Sequence, residues 1–292
     1  MEYTYCTLDM IVYDYHSFFT KDRHLMQPII KWSGSKRSQT EQILNHFPVT
    51  YNTYYEPFVG GGSMIYSVLE SHKCDKAIAS DICKPLIDLW NLFLKDSYNL
   101  MEYYCSFWNK LQIYGQDVYY EARERFNTDY NPLDFFCLNR TCFNGLVRFS
   151  SEGKFNVSFH LTRKGIEPRK IKEIAKEWLS VLENKVTFLN VDYEMCIESA
   201  TENDLIYFDP PYAHTKGMYG EEFNHNRLFK TLENLNNKNI RWLLSYDGNR
   251  YPDTTIPQNL YKHHYLLDSG NSSFSRLKKK QVDVKESLYS NF

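Results

Sequence analysis

One eight-residue stretch constrains this chain more than any other: Leu205-Ile206-Tyr207-Phe208-Asp209-Pro210-Pro211-Tyr212. Four apolar residues in a row read as a buried strand, and an acid with two prolines ends it. Proline fixes φ and carries no N–H, so the turn is rigid and its carbonyls are left to accept hydrogen bonds. An amino group in such a turn can donate to the Asp209 carboxylate and to the Pro210 carbonyl. Tyr212 offers a flat face for a base to stack on. Asp209, Pro210, Pro211 and Tyr212 are therefore the expected catalytic residues. A strand that presents polar groups at its carboxyl end belongs in an open parallel α/β sheet.

The flanking sequence predicts that sheet. A helix over 38–46, a strand over 54–57, a Gly-rich turn, a helix over 63–71 and a strand over 76–80 follow a βαβ rhythm. The rhythm stops over 85–130, where helices with aromatic faces are expected. It gives way over 139–165 to a polar, basic, Gly-punctuated stretch that reads as a loop and a β-hairpin. It resumes with a helix over 170–182, strands over 186–191 and 205–208, a helix over 222–236 and a strand over 241–245. Two apolar runs, 261–267 and 282–289, close the chain as a hairpin. The expected organisation is an extension over 1–27, a sheet domain over 28–84 and 169–292, and an inserted unit over 85–168.

A second motif lies upstream. Glu56-Pro57-Phe58-Val59-Gly60-Gly61-Gly62-Ser63 follows a strand and opens a helix, and its glycines allow a sharp turn close to a ligand. Asp81 ends the next strand 21 residues after Gly60, the arrangement that holds ribose hydroxyls. The GxGxxG dinucleotide pattern is absent, so a nucleoside without pyrophosphate, such as S-adenosylmethionine, fits better.

The net charge of −2 excludes a protein that coats nucleic acid by bulk charge, but the charge is uneven. Residues 131–172 hold eight Lys and Arg against three Asp and Glu, whereas 191–209 hold six acids and no base. No apolar run reaches the length of a membrane span, and no cationic-then-apolar leader stands at the N-terminus. The seven cysteines lack metal-ligand spacing, so free thiols in a reducing cytoplasm are expected, with no metal site.

These blocks, in this order, resemble the Dam-type, D12 class DNA adenine-N6 methyltransferases. Lys31-Trp32-Ser33-Gly34-Ser35-Lys36 is similar to that family's KWxGxK block, Glu56–Ser63 to its EPFxGxGS block, and Asp209–Tyr212 to its DPPY. Asn139-Arg140-Thr141-Cys142-Phe143-Asn144-Gly145-Leu146-Val147-Arg148-Phe149 and Gly153-Lys154-Phe155-Asn156-Val157 resemble its recognition segment. Ser158 and His160 depart from it, standing where Pro and Gly are common.

The resemblance implies a Rossmann-like S-adenosylmethionine-dependent sheet with an inserted, mainly helical target-recognition domain carrying a β-hairpin. It implies that Trp32, Lys36, Phe58, Gly60, Gly62, Asp81, Ile82, Asp192, Tyr193 and Asp209 bind the donor. Ile82 would lie against its adenine, and Asp192 and Tyr193 would edge and cap it. Lys31, Arg140, Phe143, Asn144, Leu146, Arg148 and Asn156 are the expected DNA-binding residues. Arg148 has the fork geometry to read a guanine edge and Asn144 that of an adenine, while Phe143 or Leu146 would fill the place of a flipped base.

The expected activity is methyl transfer to N6 of a flipped-out adenine in double-stranded DNA, by a cytoplasmic monomer in a restriction-modification or phage setting. A cognate restriction endonuclease would then share the site. A catalytically inactive DNA-binding partner subunit on the same fold is the alternative; it predicts an incomplete pocket. A methyltransferase for another amine, such as cytosine N4, fits the acid at 209 and the NGLxR block less well.

Overall fold

The computed structural model describes residues 26–212, 223–246, 256–268 and 285–292. Nearly all of the N-terminal extension and the basic run from Arg276 to Lys280 lie outside them. Seven strands form one sheet: β1 (Tyr54–Glu56), β2 (Ala77–Ser80), β3 (Val186–Leu189), β4 (Leu205–Phe208), β5 (Arg241–Tyr246), β6 (His263–Asp268) and β7 (Lys285–Ser290). Their order is β3-β2-β1-β4-β5-β7-β6. The first five run parallel; β7 pairs antiparallel with β5 and with β6. The closing hairpin is thus present.

Period-two alternation sorts the central strands onto two apolar cores. Tyr54, Leu205, Tyr207 and Leu243 face one; Tyr55, Ile206, Phe208, Trp242 and Leu244 face the other. Both faces being covered explains why β4 is apolar at every position. Helix α8 (His225–Asn237) lies in the second core through Leu228, Leu232 and Leu235. It begins three residues later than expected, because Asn224 caps it by accepting from the Arg227 N–H. The short helix α7 (Tyr193–Cys196) joins the same core.

The first core carries α1 (Thr40–Leu44), α2 (Ser63–Glu70) and the four helices between β2 and β3. These four are α3 (Lys84–Tyr114), α4 (Gln116–Asp129), α5 (Pro132–Thr141) and α6 (Pro168–Leu182). Helix α6 buries Ile171, Ile174, Ala175, Trp178 and Leu182, one helical face, against the core. Helix α3 runs through the boundary expected at residue 85. Its backbone breaks at Asp96 (φ −152°, ψ 63°), whose Oδ1 accepts from the Asn99 N–H and caps the second half. The apolar core is continuous from the sheet into the inserted helices.

The β-hairpin expected within 139–165 is not a ladder. Only two isolated bridges occur, Cys142 with Phe159 and Phe149 with Phe155. Backbone bonds flank both bridges: the Ser150 N–H donates to the Lys154 carbonyl at 2.8 Å and the Asn156 N–H to that of Arg148 at 3.2 Å, while the Phe143 N–H donates to the Ser158 carbonyl at 2.8 Å and the His160 N–H to that of Thr141 at 3.1 Å. Side chains add to them. The Asn127 amide accepts from the Phe155 N–H at 2.8 Å and donates to the Phe155 carbonyl at 3.1 Å, and the Tyr119 hydroxyl donates to the Val157 carbonyl at 2.8 Å. The alternation survives nonetheless: Val147, Phe155, Val157 and Phe159 are buried, and Arg148, Lys154, Asn156 and Ser158 are exposed. Among the described residues no helix is long and apolar enough to cross a membrane.

Candidate active site

The parallel strands deliver their carboxyl ends to one cavity of about 790 Å³. It opens beside the β1/β4 pair, where the strand order reverses and ligands bind in open α/β sheets. Glu56 comes from β1, Asp81 and Ile82 from the end of β2, Asp192 and Tyr193 from beyond β3, and Asp209 to Tyr212 from the end of β4. Trp32 to Lys36, Phe58 and Arg227 are also part of the lining.

At the β4 end, the Lys36 ammonium lies 2.7 Å from Asp209 Oδ1 and 3.1 Å from Glu286 Oε1. Burial works against the Lys36 charge, but Asp209 and then Glu286 outweigh it and hold the ammonium firmly protonated. Burial also pushes the Asp209 carboxyl up to about 6, with Lys36 pulling it down and Glu286 pushing it further up. The Lys36 ammonium sits 5.1 Å from the centre of the Tyr212 ring. Glu56 is buried, accepts from the Tyr54 hydroxyl at 3.0 Å, and is raised well above the usual carboxylate range by desolvation.

At the β2 and β3 ends, Asp81 accepts from the Cys83 N–H at 2.9 Å and from the Gly60 N–H at 3.2 Å. A carboxylate has about four lone-pair sites, so about two remain for a diol. Burial pushes the Asp81 carboxyl up to about 6 against these two bonds. Ile82 is 68% exposed although it lines the cavity, an apolar face with nothing yet against it. Phe58 stacks on Tyr193 at 5.4 Å. Asp192 is more committed than expected. It accepts from the Glu194 N–H and takes both terminal nitrogens of Arg227, at 2.9 and 2.6 Å. Arg227 in turn lies over the Tyr193 ring.

Gly60 and Gly61 line the cavity, and both also lie against Trp32. A side chain at Gly60 would stand 2.6 Å from Trp32 Cδ1, and one at Gly61 3.0 Å from Trp32 Cβ. The turn is glycine so that Trp32 can lie on it. Gly62 does not line the cavity: its φ is +70°, and a Cβ there would meet Trp90 at 2.9 Å. Its expected donor contact is replaced by packing against Trp90, whose Nε1 also donates to the Gly60 carbonyl.

Arg140 is likewise corrected. It is 2% exposed, and its Nη1 donates to the Pro28 carbonyl at 2.9 Å and toward that of Ile29 at 3.4 Å, so it cannot reach DNA. Asn139 beside it clamps Lys31, accepting from its N–H at 2.8 Å and donating to its carbonyl at 2.7 Å. The irregular segment 28–31 thus has backbone groups satisfied by α5. Lys31 is half-buried, with its ammonium 3.0 Å from the Arg140 carbonyl, and burial followed by Arg140 lowers it to about 8.

The other DNA candidates are on the surface. Phe143, Asn144, Leu146, Arg148 and Asn156 are exposed, with Asn144 at φ +53° in a short turn. Arg148 Nε donates to Asn156 Oδ1 at 2.7 Å, which couples two candidates across the strand-like segments. Phe143 stacks on His160 at 5.5 Å. Sequence reasoning missed Glu286 and Arg227: neither lies in a motif, and only the fold brings Arg227 to the cavity and Glu286 to Lys36.

A Rossmann-like sheet of this order, closed by an antiparallel hairpin and carrying an acid-Pro-Pro-Tyr turn at its switch point, defines a methyltransferase. Residues 32–282 match the model of the D12 class N6 adenine-specific DNA methyltransferases, and the chain belongs to that family. It is an enzyme that methylates adenine N6 in DNA, with S-adenosylmethionine as methyl donor. The chain is 29% identical over 252 residues to the Type II methyltransferase M.MjaIII of Methanocaldococcus jannaschii, covering 77% of this chain and 85% of that one. It is 29% identical to the DNA adenine methylase of Serratia marcescens (81% and 87% covered) and 31% identical to that of Haemophilus influenzae (68% and 70%).

Proposed function

We propose that this cavity binds the donor along the strand ends and receives a flipped-out adenine from double-stranded DNA at the Asp209 turn. The observation that carries the reading is the convergence of Lys36, Asp81 and Asp209 to Tyr212, from separate motifs, on one cavity. The residues fit the donor: Ile82 offers an apolar face for a purine, Asp81 acceptors for a ribose diol, and the Asp209 carboxylate and the Glu56 carboxyl acceptors for the ammonium of its amino-acid end, with Lys36 beside them. When bound, the donor supplies an electrophilic methyl group on a sulfonium.

The chain's own residues then hold the amine. Its lone pair is delocalised into the adenine ring, so it is a weak nucleophile. Asp209 and the Pro210 carbonyl accept its two N–H groups and favour a tetrahedral nitrogen. Tyr212 stacks on the base, and Pro211 keeps the turn rigid. Positioning and preorganised acceptors carry the rate, with no need to deprotonate the amine first. With the donor bound, Asp209 and the Pro210 carbonyl would hold the nitrogen facing its methyl group, and the one proton that the nitrogen gives up on alkylation would pass to solvent.

The segment over 142–160 reads the DNA. Arg148, Asn156 and Asn144 are exposed on it, the first two bonded to each other, and the exposed apolar Phe143 and Leu146 suit the place that a flipped base leaves. Residues 85–168 accordingly form the recognition unit. The proposal takes the working unit as a cytoplasmic monomer. The Type II methyltransferase relative supports pairing with a restriction endonuclease of the same site. The inactive-subunit alternative requires an incomplete pocket, and every expected catalytic group lines this one.

The test is labelled donor with duplex DNA, single-stranded DNA and RNA, followed by nucleoside analysis. N6-methyldeoxyadenosine from duplex at a fixed sequence is expected. Label in cytosine, or equal labelling of RNA, would overturn the reading.

A further inference from the structure

We infer that Glu286, on β7, is a positioning residue for methyl transfer: it holds the Lys36 ammonium off one oxygen of Asp209, so that the carboxylate meets the incoming amine with an acceptor free and a net negative charge. The inference rests on the reading of Asp209 as the acceptor of the amine.

The geometry is specific. Lys36, Asp209 and Glu286 come from three separate stretches, and their side chains are 6%, 19% and 13% exposed. An ammonium has three N–H donors. Here they go to Asp209 Oδ1 at 2.7 Å, Glu286 Oε1 at 3.1 Å and the Gly34 carbonyl at 3.4 Å. With Glu286 in place, all three are used and one Asp209 oxygen is left alone by Lys36. Without that carboxylate, the freed N–H turns to the remaining strong acceptor within reach, Asp209. Lys36 and Asp209 alone would also form a neutral pair, a poor acceptor for an amine that gains positive charge as it reacts. A buried lysine between two carboxylates keeps the cluster at −1.

The consequence is legible in the pH dependence. Among the described residues, the titratable groups around Asp209 are Lys36, Glu286, Glu56 on β1 and the Tyr207 hydroxyl on β4, which bonds Ser245 at 2.6 Å. Glu286 adds to burial in raising the Asp209 carboxyl to about 6. Asp209 works ionised, so activity is lost as pH falls through that value. Removing the Glu286 charge makes Asp209 easier to ionise and moves the acid limb to lower pH.

The test compares kcat, the KM for DNA and the pH–rate profile of the full-length wild type, Glu286→Gln and Glu286→Asp, with Asp209→Ala in parallel. The expected result for Glu286→Gln is a fall of about tenfold or more in kcat on the alkaline plateau, the cost of one charge-assisted contact. The KM for DNA should stay within about twofold, since Glu286 lies away from the exposed residues of 142–160. The acid limb should move down, and Glu286→Asp, which keeps the charge, should keep the wild-type limb and recover most of the rate. An unchanged limb in Glu286→Gln, or equal losses in Gln and Asp, overturns the inference. If Glu286→Gln does not fold, the Asp variant decides alone: a displaced limb with the charge retained overturns it. An active Asp209→Ala would instead defeat the underlying reading of the site.

Discussion

Replacing Asn139 by alanine tests how the N-terminal segment is held over the site. Asn139 is fully buried on α5, and its amide closes two bonds onto the backbone of Lys31, at 2.8 and 2.7 Å. Segment 28–31 makes no strand or helix, so no neighbour replaces these partners. Alanine leaves the Lys31 N–H and carbonyl unpaired away from bulk water. Each such group costs about 1–3 kcal/mol, and with some relaxation the expected loss is about 3 kcal/mol. Urea unfolding followed by far-UV circular dichroism measures it as a lower midpoint at constant slope. Donor affinity should fall as well, because Trp32 follows Lys31 and packs on Gly60 and Gly61. Asn139→Asp should not rescue, since it keeps the acceptor but cannot donate to the Lys31 carbonyl and buries a charge. A stability loss under about 1 kcal/mol with unchanged donor affinity would refute the reasoning.

Other outcomes follow from the same geometry. Asp81→Ala should weaken donor binding about tenfold or more without blocking DNA binding, and wild-type donor affinity should drop as pH falls through about 6, where Asp81 protonates; calorimetry reads both. Gly62→Ala should cost about 2–4 kcal/mol in denaturant unfolding, because its φ is +70° and Trp90 occupies the Cβ position at 2.9 Å. Arg148→Ala should lower discrimination at one base pair by about 1–3 kcal/mol, whereas Lys164→Ala, at an exposed lysine of the basic stretch 139–165 suited to phosphate contact, should weaken all sequences alike and flatten the salt dependence. Equal slowing of every substrate by Arg148→Ala would make that arginine a clamp rather than a reader.

Much of the fold was legible because it is written locally. The apolar run 205–208, the two flanking βα rhythms and the final pair of apolar runs each depend on periods of two or 3.6 residues, and all became strands or helices of the sheet. That Asp81 and Asp209 to Tyr212 line one cavity was legible for the same reason: strand ends in an α/β sheet converge, so an acid after a strand points to a site. What escaped depends on contacts across long stretches of chain. Arg140 looks like a basic surface residue beside Arg148, but only the packing of α5 on segment 28–31 shows that its donors are used internally. Glu286 carries no local signal, because its partner Lys36 is reached only through the β7 position between β5 and β6. Gly60 and Gly61 line the cavity, but the tryptophans that also require glycine in this turn, Trp32 at 60 and 61 and Trp90 at 62, leave no signal within the motif. The hairpin within 139–165 had the right alternation, yet Asn127 and Tyr119 of α4 also bond its backbone at Phe155 and Val157, which no pattern within the hairpin reveals.

The central claim is that Asp209 is the acceptor that holds the reacting amine. Its most direct test is the single-turnover rate of methyl transfer by Asp209→Ala, with both donor and duplex DNA saturating so that binding losses do not enter. Loss of a preorganised acceptor at the reacting centre predicts a fall of about 10²–10³ or more, in a variant that still binds duplex DNA. A single-turnover rate within a few-fold of wild type would contradict the account and leave the Lys36–Asp209 pair a structural feature of the cavity.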